Sequence, residues 1–206
     1  MKTIMLHGLG QVSSSWESTI MTMGKGFEIL CPDLSDWLRN TEVSYYNLYH
    51  TFEKYCEDID GPLNLCGLSL GGMLALQYAV EHGNRVNSLV LIGTQFSAPD
   101  NLLRFQNLIF RFMPESAFKE TGFGKASMIS LSKSMIGLDF YQDLKYIHCR
   151  TLVICGEKDR ANRRASMKLK EQIPNAEISL IPNAGHEVNV DAPTLLGKEL
   201  KTFFFS

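Results

Sequence analysis

Several features that would assign this chain to a class are missing from it. No apolar stretch reaches the roughly 20 residues that a membrane-spanning helix needs, so we expect no membrane span. Runs of lysine and arginine typical of nucleic-acid-binding surfaces are absent. The 20 basic and 22 acidic side chains leave a formal net charge of −2. Neither nucleic acid nor an anionic membrane is therefore expected as a partner.

Paired cysteines are also missing. The five cysteines of the chain include no C-x-x-C pair, which argues against a zinc site or a disulfide framework. Cys31, Cys66 and Cys155 lie in or beside apolar runs, where a free thiol behaves as a small hydrophobe. An odd number of such thiols favours a reducing compartment. Residues 1–6 are too few for the apolar core of a signal peptide, so we expect a cytoplasmic protein.

Short apolar runs alternate with helical patterns along the chain. This rhythm predicts a parallel sheet with helices on both faces. The expected fold is a three-layer α/β sandwich around a mostly parallel, six-stranded sheet, and 206 residues suit one domain, 1–206. The six predicted strands lie at 3–6, 27–31, 63–67, 88–93, 151–155 and 177–181.

Residues 96–147 interrupt this rhythm. The segment has no strand-like run, and its apolar residues keep helical spacing. We expect a helical cap inserted into the domain. Phe105, Phe112, Met128 and Met135 could line an acyl pocket there, although packing of the cap against the core explains each of them equally well.

A serine stands where the third predicted strand turns into a helix. The sequence there is Gly67-Leu68-Ser69-Leu70-Gly71, followed by Gly72. A sharp strand-to-helix turn strains the residue at its apex, and a Cβ at Gly67 or Gly71 would collide with the turn. The turn would lift the Ser69 hydroxyl above the sheet beside a helix N-terminus. A glycine-rich packing turn without chemistry is the alternative.

Two later strands end in turns that carry complementary groups. Asp159 follows the fifth predicted strand and His186 follows the sixth. Parallel strands bring their carboxyl ends to one edge of the sheet, where open α/β sheets bind ligands. A serine hydroxyl needs a base such as histidine, and a carboxylate orients that histidine. Asp100 is a competing acid, but it lies far inside the insert, and His186 could instead be a surface or helix-capping histidine.

These motifs together resemble the α/β-hydrolase superfamily over nearly the whole chain. The resemblance implies Ser69 as nucleophile, Asp159 as acid and His186 as base. It also implies an oxyanion hole from the Leu9 and Leu70 amides, and neither a metal nor an organic cofactor. The motifs that carry it are His7-Gly8-Leu9-Gly10 with Trp16, Cys31-Pro32-Asp33-Leu34, Gly67 to Gly72, Gly156-Glu157-Lys158-Asp159 and Gly185-His186.

The chain departs from larger members of the superfamily in two respects. It begins at the strand before His7-Gly8, without the two strands that precede this one in larger members. The stretch His7-Gly8-Leu9-Gly10 differs from the Gly-Gly-Gly type of some lipases and esterases. This stretch resembles that of the small esterases, thioesterases and related hydrolases. The expected function is cleavage of a small carboxylic ester or thioester, with a small-molecule acyl compound as substrate.

Other functions fit the same motifs. A lyase or C–C bond hydrolase could use the same three residues, and a ligand receptor could keep the fold without catalysis. Arg160, Arg163 and Arg164 follow the acid and could bind an anionic substrate, but a solvated helix start is the favoured interpretation. The motifs specify neither the acyl chain nor the oligomeric state.

Overall fold

A computed structural model describes residues 1–98, 113–118 and 121–205 of the chain. Strands and helices alternate along it, as the apolar rhythm predicts. The strands are β1 (Lys2–Leu6), β2 (Glu28–Leu30), β3 (Leu63–Leu68), β4 (Val86–Ile92), β5 (Arg150–Gly156) and β6 (Ala176–Ile181). The described helices are α1 (Glu17–Met23), α2 (Tyr45–Glu57), α3 (Leu70–Glu81), α4 (Lys125–Ser134), α5 (Arg160–Gln172), α6 (Val188–Asp191) and α7 (Pro193–Phe205).

The six strands form one sheet in the order β2-β1-β3-β4-β5-β6. Every described pairing is parallel, so the expected α/β sandwich with six strands is confirmed. The strand order reverses at β1 and β3, which lie side by side. Loops that leave the carboxyl ends of such a pair diverge and open a crevice for ligands.

Helices cover both faces of this sheet. Along β1 the side chains alternate, so that Ile4 and Leu6 face one core cluster and Met5 faces the other. Residues of α2, α3 and α5 fill the first cluster, and residues of α1 and α7 fill the second. The central strands are buried on both faces, which explains their continuous apolar sequences.

Two helices begin earlier than the apolar pattern indicates. The pattern places the start of α5 near Ala165, but α5 begins at Arg160 because the side chain of Asp159 caps it and accepts the Asn162 amide N–H. Helix α3 begins at Leu70, directly after Ser69, although its apolar pattern is clear only from Met73. Both early starts bring a helix N-terminus to a residue predicted to be catalytic.

The described part of the interval between β4 and β5 contains helices and turns and adds no strand to the sheet. It holds a 3-10 turn (Glu115–Phe118), helix α4 and a second 3-10 turn (Leu144–Tyr146). An isolated bridge joins Ser97 to Asp139. Met128 and Met135 are buried in the first core cluster. Phe105, Phe112 and Asp100 lie outside the described residues.

The cysteines are free thiols at all five positions. Cys56, Cys66 and Cys155 are buried. Burial raises the pKa of the Cys56 thiol to about 12 and also raises that of Cys66. These thiols therefore stay protonated at neutral pH and act as apolar packing groups.

The helices of the described chain are short, and α2, α5 and α7 each contain 13 residues. None of the helices described has both the length and the apolar character needed to cross a membrane.

We predict that Gly67→Ala destabilises the protein strongly. A Cβ at Gly67 would lie 2.2 Å from the Gly71 carbonyl oxygen and 2.5 Å from the Gly72 nitrogen, which are backbone atoms of α3. The helix would have to move, so the free energy of unfolding should fall by about 3 kcal/mol. Urea denaturation followed by circular dichroism measures this loss.

Gly83→Ala is the matched control, because a Cβ at Gly83 meets no atom within 4 Å. It should change the free energy of unfolding by no more than about 1 kcal/mol. Equal stability of the two variants would contradict the close packing of strand and helix at this turn.

Candidate active site

Ser69 occupies a strained backbone conformation between β3 and α3. Its φ of 53° and ψ of −110° lie outside the regions that non-glycine residues favour, which costs about 1–3 kcal/mol. Its N–H donates to the Ile92 carbonyl at 2.9 Å, and its carbonyl accepts the Met73 N–H at 2.9 Å. These bonds hold the turn between the ends of β3 and β4. The predicted strained elbow is present at Ser69.

The loop after β1 lies against this elbow. A Cβ at Gly8 would lie 2.7 Å from Leu68 Cδ2 and 3.7 Å from Ser69 Cβ, so the two turns touch. The Gln11 N–H donates to the Gly8 carbonyl at 3.2 Å, and Gly10 adopts a φ of 91°. Leu9 therefore lies inside a tight turn beside Ser69, where the sequence predicts an oxyanion donor.

Leu70, the second predicted donor, is the first residue of α3. The first N–H groups of a helix lack partners within the helix. Among the described residues, no turn or side-chain hydrogen bond engages the N–H of Leu9 or Leu70. Both amides are thus available beside Ser69, and their role as an oxyanion hole stays a prediction.

His7 braces the same loop from within. Its Nε2 accepts the Leu34 N–H at 3.0 Å, so its Nδ1 carries the proton and donates to the Gly8 carbonyl at 2.9 Å. Burial lowers the pKa of His7, although the Asp33 carboxylate lies 3.9 Å from Nε2. The ring is therefore a neutral, structural bridge.

A buried pair of amides connects this loop to α6, the short helix that follows His186. Gln11 Nε2 donates to Asn189 Oδ1 at 3.1 Å, and Asn189 Nδ2 returns a bond to Gln11 Oε1 at 3.1 Å. Gln11 Oε1 also accepts the Gly8 N–H at 3.3 Å. Sequence reasoning missed this pair because two uncharged amides 178 residues apart carry no spacing signal.

Asp159 and His186, the predicted acid and base, lie within hydrogen-bond distance of each other. Asp159 Oδ2 lies 2.8 Å from His186 Nδ1, with 4% of the Asp159 side chain and 40% of the His186 side chain exposed. Burial alone would raise the pKa of Asp159, but hydrogen bonds from His186 and Asn162 outweigh burial and lower the pKa. The carboxylate is therefore ionised at neutral pH and can orient the imidazole.

The pair lies over the end of β4, next to the elbow. A Cβ at Gly93 would lie 2.9 Å from His186 Nδ1 and 3.3 Å from Asp159 Oδ2, while the preceding Ile92 carbonyl holds the Ser69 N–H. All three predicted catalytic residues thus meet at one sheet edge. In the described chain the Ser69 hydroxyl makes no hydrogen bond to His186, and such bonds often tighten only when substrate binds.

Two more uncharged residues join the pair. Asn162 contacts both Asp159 and His186, and Gln95 holds Asn162. Neither was predicted, because the sequence shows Asn162 only as one residue in a basic helix start. Of its neighbours, Arg160, Arg163 and Arg164 are exposed, as a solvated helix start requires.

Two of the predicted acyl-pocket residues, Met128 and Met135, lie in the described part of the chain. Met128 reaches the predicted oxyanion loop, with its Cε 3.6 Å from where a Cβ of Gly10 would be. Met135 is 6% exposed and packs in the core. Met128 is thus the pocket candidate with a described contact to the site.

The residues suited to hold a metal ion lie elsewhere. Glu53, Glu81 and His82 are the one such group found among the described residues, with one ligand atom of each within 4.8 Å of the others. Glu81 ends α3. Ser69 precedes the first residue of this 12-residue helix, so about 18 Å separates the group from Ser69. The group takes no part in the candidate active site.

Comparisons with a family model and with known proteins extend over most of the chain. A family model described as "Alpha/beta hydrolase family" matches residues 3–197. The chain is 24% identical to proline iminopeptidase PfmaB of Pestalotiopsis fici over 97% of this chain and 90% of that protein. It is 26% identical to a putative 2-succinyl-6-hydroxy-2,4-cyclohexadiene-1-carboxylate synthase of Bacillus subtilis over 70% of this chain and 66% of that protein.

A solved structure is similar over nearly the full length. The enol-lactonase of Burkholderia xenovorans LB400 superimposes with a TM-score of 0.85 at 17% identity, covering 99% of this chain and 91% of that one. At this identity the likeness supports the fold alone.

Gly93→Ala should disable the site while the protein stays folded. Its Cβ would press on the His186 ring and move it away from Asp159, so Ser69-dependent turnover should fall by about 10²-fold or more. Gly61→Ala is the control, because Gly61 also has a positive φ (80°) but meets no atom within 4 Å. Both variants should lose about 1 kcal/mol of stability from backbone strain. Equal turnover in the two variants would contradict the packing of His186 on Gly93.

The lowered pKa of Asp159 predicts a pH-dependent contribution to stability. The contribution is present above the ordinary aspartate pKa of 3.8 and is lost as the pH falls through the lower value in the folded protein. Asp159→Asn keeps a helix cap but removes the charge, so it should cost about 1–2 kcal/mol at pH 7 and progressively less below pH 4. Urea unfolding across this range measures the deficit. Asp60→Asn, at an exposed carboxylate, should show little deficit at any pH.

Proposed function

This chain belongs to the alpha/beta hydrolase family, and we propose that it is a serine hydrolase that cleaves a small carboxylic ester or thioester. The observation that carries the proposal is the Asp159–His186 hydrogen bond of 2.8 Å, placed on Gly93 beside the strained turn at Ser69. Relatives of the family act in more than one way, so the reaction is inferred from the chemistry of these residues.

In the proposed reaction, Ser69 attacks the acyl carbonyl. With Nδ1 bonded to Asp159, the free Nε2 of His186 takes the proton from the Ser69 hydroxyl. The imidazolium that forms is stabilised by the ionised Asp159 carboxylate. His186 then passes the proton to the departing alcohol or thiol, which leaves an acyl ester on Ser69. Water, activated by the same histidine, releases the acid.

Charge develops on the carbonyl oxygen during both steps. We assign its stabilisation to the N–H groups of Leu9 and Leu70, which the turn after β1 and the start of α3 bring beside Ser69. Each such donor is worth about 10²–10³ in turnover. The Gln11–Asn189 pair and the neutral His7 support this loop, since they anchor the Gly8 peptide on both sides.

The segment 96–147 is proposed to be a helical cap of this single domain. Met128 supports this assignment, because its side chain reaches the predicted oxyanion loop from α4. We propose that this cap binds the acyl chain of a small substrate. The free thiols support a reducing compartment, and we propose the cytoplasm.

A second candidate is a lyase reaction at the same residues. It is favoured by the 26% identity to a Bacillus subtilis protein named as a synthase. In that reaction the site would remove a proton from the substrate, and Ser69 would not become acylated. Formation of an acyl-enzyme therefore separates the two candidates.

We predict that Ser69→Ala and His186→Ala each lower kcat by about 10⁴-fold or more on any acyl ester that the unmodified protein hydrolyses. The effects are equal because the nucleophile and the base act as a unit. Release of p-nitrophenol from short-chain esters and of thiol from acyl thioesters measures turnover. Mass spectrometry of the intact protein during turnover should show one acyl group, which is absent in Ser69→Ala.

His148→Ala is the matched control for His186, because His148 is an exposed histidine just before β5. It should retain full turnover. Hydrolysis that survives in Ser69→Ala would overturn the proposed nucleophile. Turnover that depends on His186 and never acylates the protein would favour the lyase.

A further inference from the structure

We propose that Asn162 is a positioning residue that fixes the carboxylate of Asp159 toward His186, and that Gln95 holds Asn162 in place for this role. The predicted effect of Asn162 on kcat rests on the proposed function. Its predicted effect on which ring nitrogen of His186 carries the proton does not. Neither residue belongs to the nucleophile–acid–base set or to the oxyanion turn.

The contacts of Asn162 converge on the acid–base pair. Its Nδ2 lies 2.9 Å from Asp159 Oδ1, 2.9 Å from Asp159 Oδ2 and 3.0 Å from His186 Nδ1. Its backbone N–H donates to Asp159 Oδ1 at 3.2 Å. Only 8% of Asn162 is exposed, so these bonds form away from water, where geometry is enforced most strongly.

The orientation of the Asn162 amide follows from its neighbours. Gln95 Nε2 donates to Asn162 Oδ1 at 2.7 Å, which places the carbonyl away from Asp159. The reversed amide would bring its oxygen within 2.9 Å of both oxygens of an ionised carboxylate and lose the Gln95 bond. The NH₂ group therefore faces the carboxylate, and the Gln95 bond polarises the amide and strengthens it as a donor.

The Asn162 NH₂ group has two possible acceptors, the Asp159 carboxylate and His186 Nδ1. The Asn162 amide could also donate to His186 Nδ1, which would force the proton onto Nε2 and leave the base unable to accept from Ser69. A bond to an ionised carboxylate is stronger than a bond to a neutral ring nitrogen. Asn162 and His186 Nδ1–H therefore both donate to Asp159, and Asn162 restricts rotation of the carboxylate away from His186 Nδ1.

The position of Gln95 connects the hydrogen bonds of Asn162 to the proposed cap. Gln95 lies two residues after Gly93, on the segment that leaves β4 and bridges to Asp139 through Ser97. Asn162 lies on the first turn of α5, three residues after Asp159. The Gln95–Asn162 bond therefore joins the base of the cap to the acid–base pair across two strand ends.

A double-mutant cycle between Asn162 and Asp159 tests the proposal. Asn162→Leu removes the donor at similar volume and should lower kcat about tenfold, with KM changed less than about twofold. In an Asp159→Ala background, where there is no carboxylate to orient, the same change should have less than about a twofold effect. An equal effect in both backgrounds, or a change in KM alone, would overturn the proposal.

Ser166→Ala is the matched control. Ser166 is buried on the same helix. Its hydroxyl donates to the backbone carbonyl of Asn162 at 3.1 Å and makes no hydrogen bond to Asp159 or His186. It should leave kcat unchanged. If Asn162→Leu does not fold by circular dichroism, Asn162→Ala serves instead, because it also removes the side-chain donor to Asp159 and adds no volume. Gln95→Leu should lower kcat in the same direction by a smaller factor.

The tautomer of His186 provides a readout that needs no turnover. In protein labelled with ¹⁵N-histidine, the His186 signals are assigned by their loss in His186→Gln. In the unmodified protein, they should show a protonated Nδ1 and an unprotonated Nε2. In Asn162→Leu the ratio of the Nε2–H to the Nδ1–H form should rise about tenfold.

An unchanged ratio, or a fall in the Nε2–H form, would overturn the role of Asn162 even if no substrate is found. The proposed function fails separately. In that case no ester or thioester shows Ser69-dependent turnover, while the His186 signals still report whether Asn162 acts.

Discussion

The carboxylate of Asp159 is the group on which the rest of the site depends. It caps α5 through the Asn162 N–H, accepts the Asn162 amide, and lies 2.8 Å from His186 Nδ1. A buried charge with so many donors stays ionised, and its lowered pKa is the consequence. One group therefore joins the start of a helix, the loop after β6 and, through Asn162 and Gln95, the segment that leaves β4. The start of α5 and the imidazole of His186 are thus positioned by the same carboxylate.

The fold supplies the second constraint, the closeness of backbone at the strand ends. Gly71 lies so near β1 that a Cβ would be 2.3 Å from the Leu6 carbonyl oxygen, and a Cβ at Gly156 would be 2.0 Å from the Gly185 carbonyl oxygen. Such contacts fix the turn after β3 against the end of β1, and the turn after β6 against the end of β5. Because close-packed backbone can hardly shift, the strained Ser69 conformation is maintained by its surroundings rather than by its own preference.

Much of the fold could be predicted from the sequence, since strands buried on both faces have continuous apolar sequences. Such runs predict the central strands, the apolar runs at 27–31 and 177–181 predict the edge strands β2 and β6, and the glycines around Ser69 predict the strained turn. The start of α5 was placed too late, because its first turn is polar and held by a side-chain cap. The sequence did not predict the roles of four uncharged amides, Asn162, Gln95, Gln11 and Asn189. Uncharged amides acquire a role only through partners that the fold brings near, and no local pattern marks them.

The central claim is that His186, oriented by Asp159, makes the Ser69 hydroxyl nucleophilic. The most direct measurement is the rate at which a fluorophosphonate modifies the protein, with the modified residue mapped by peptide mass spectrometry. The account predicts a single modification on Ser69 that slows by about 10²-fold or more when His186 is replaced by alanine. Modification at another residue, or an unchanged rate at Ser69 without His186, would contradict it.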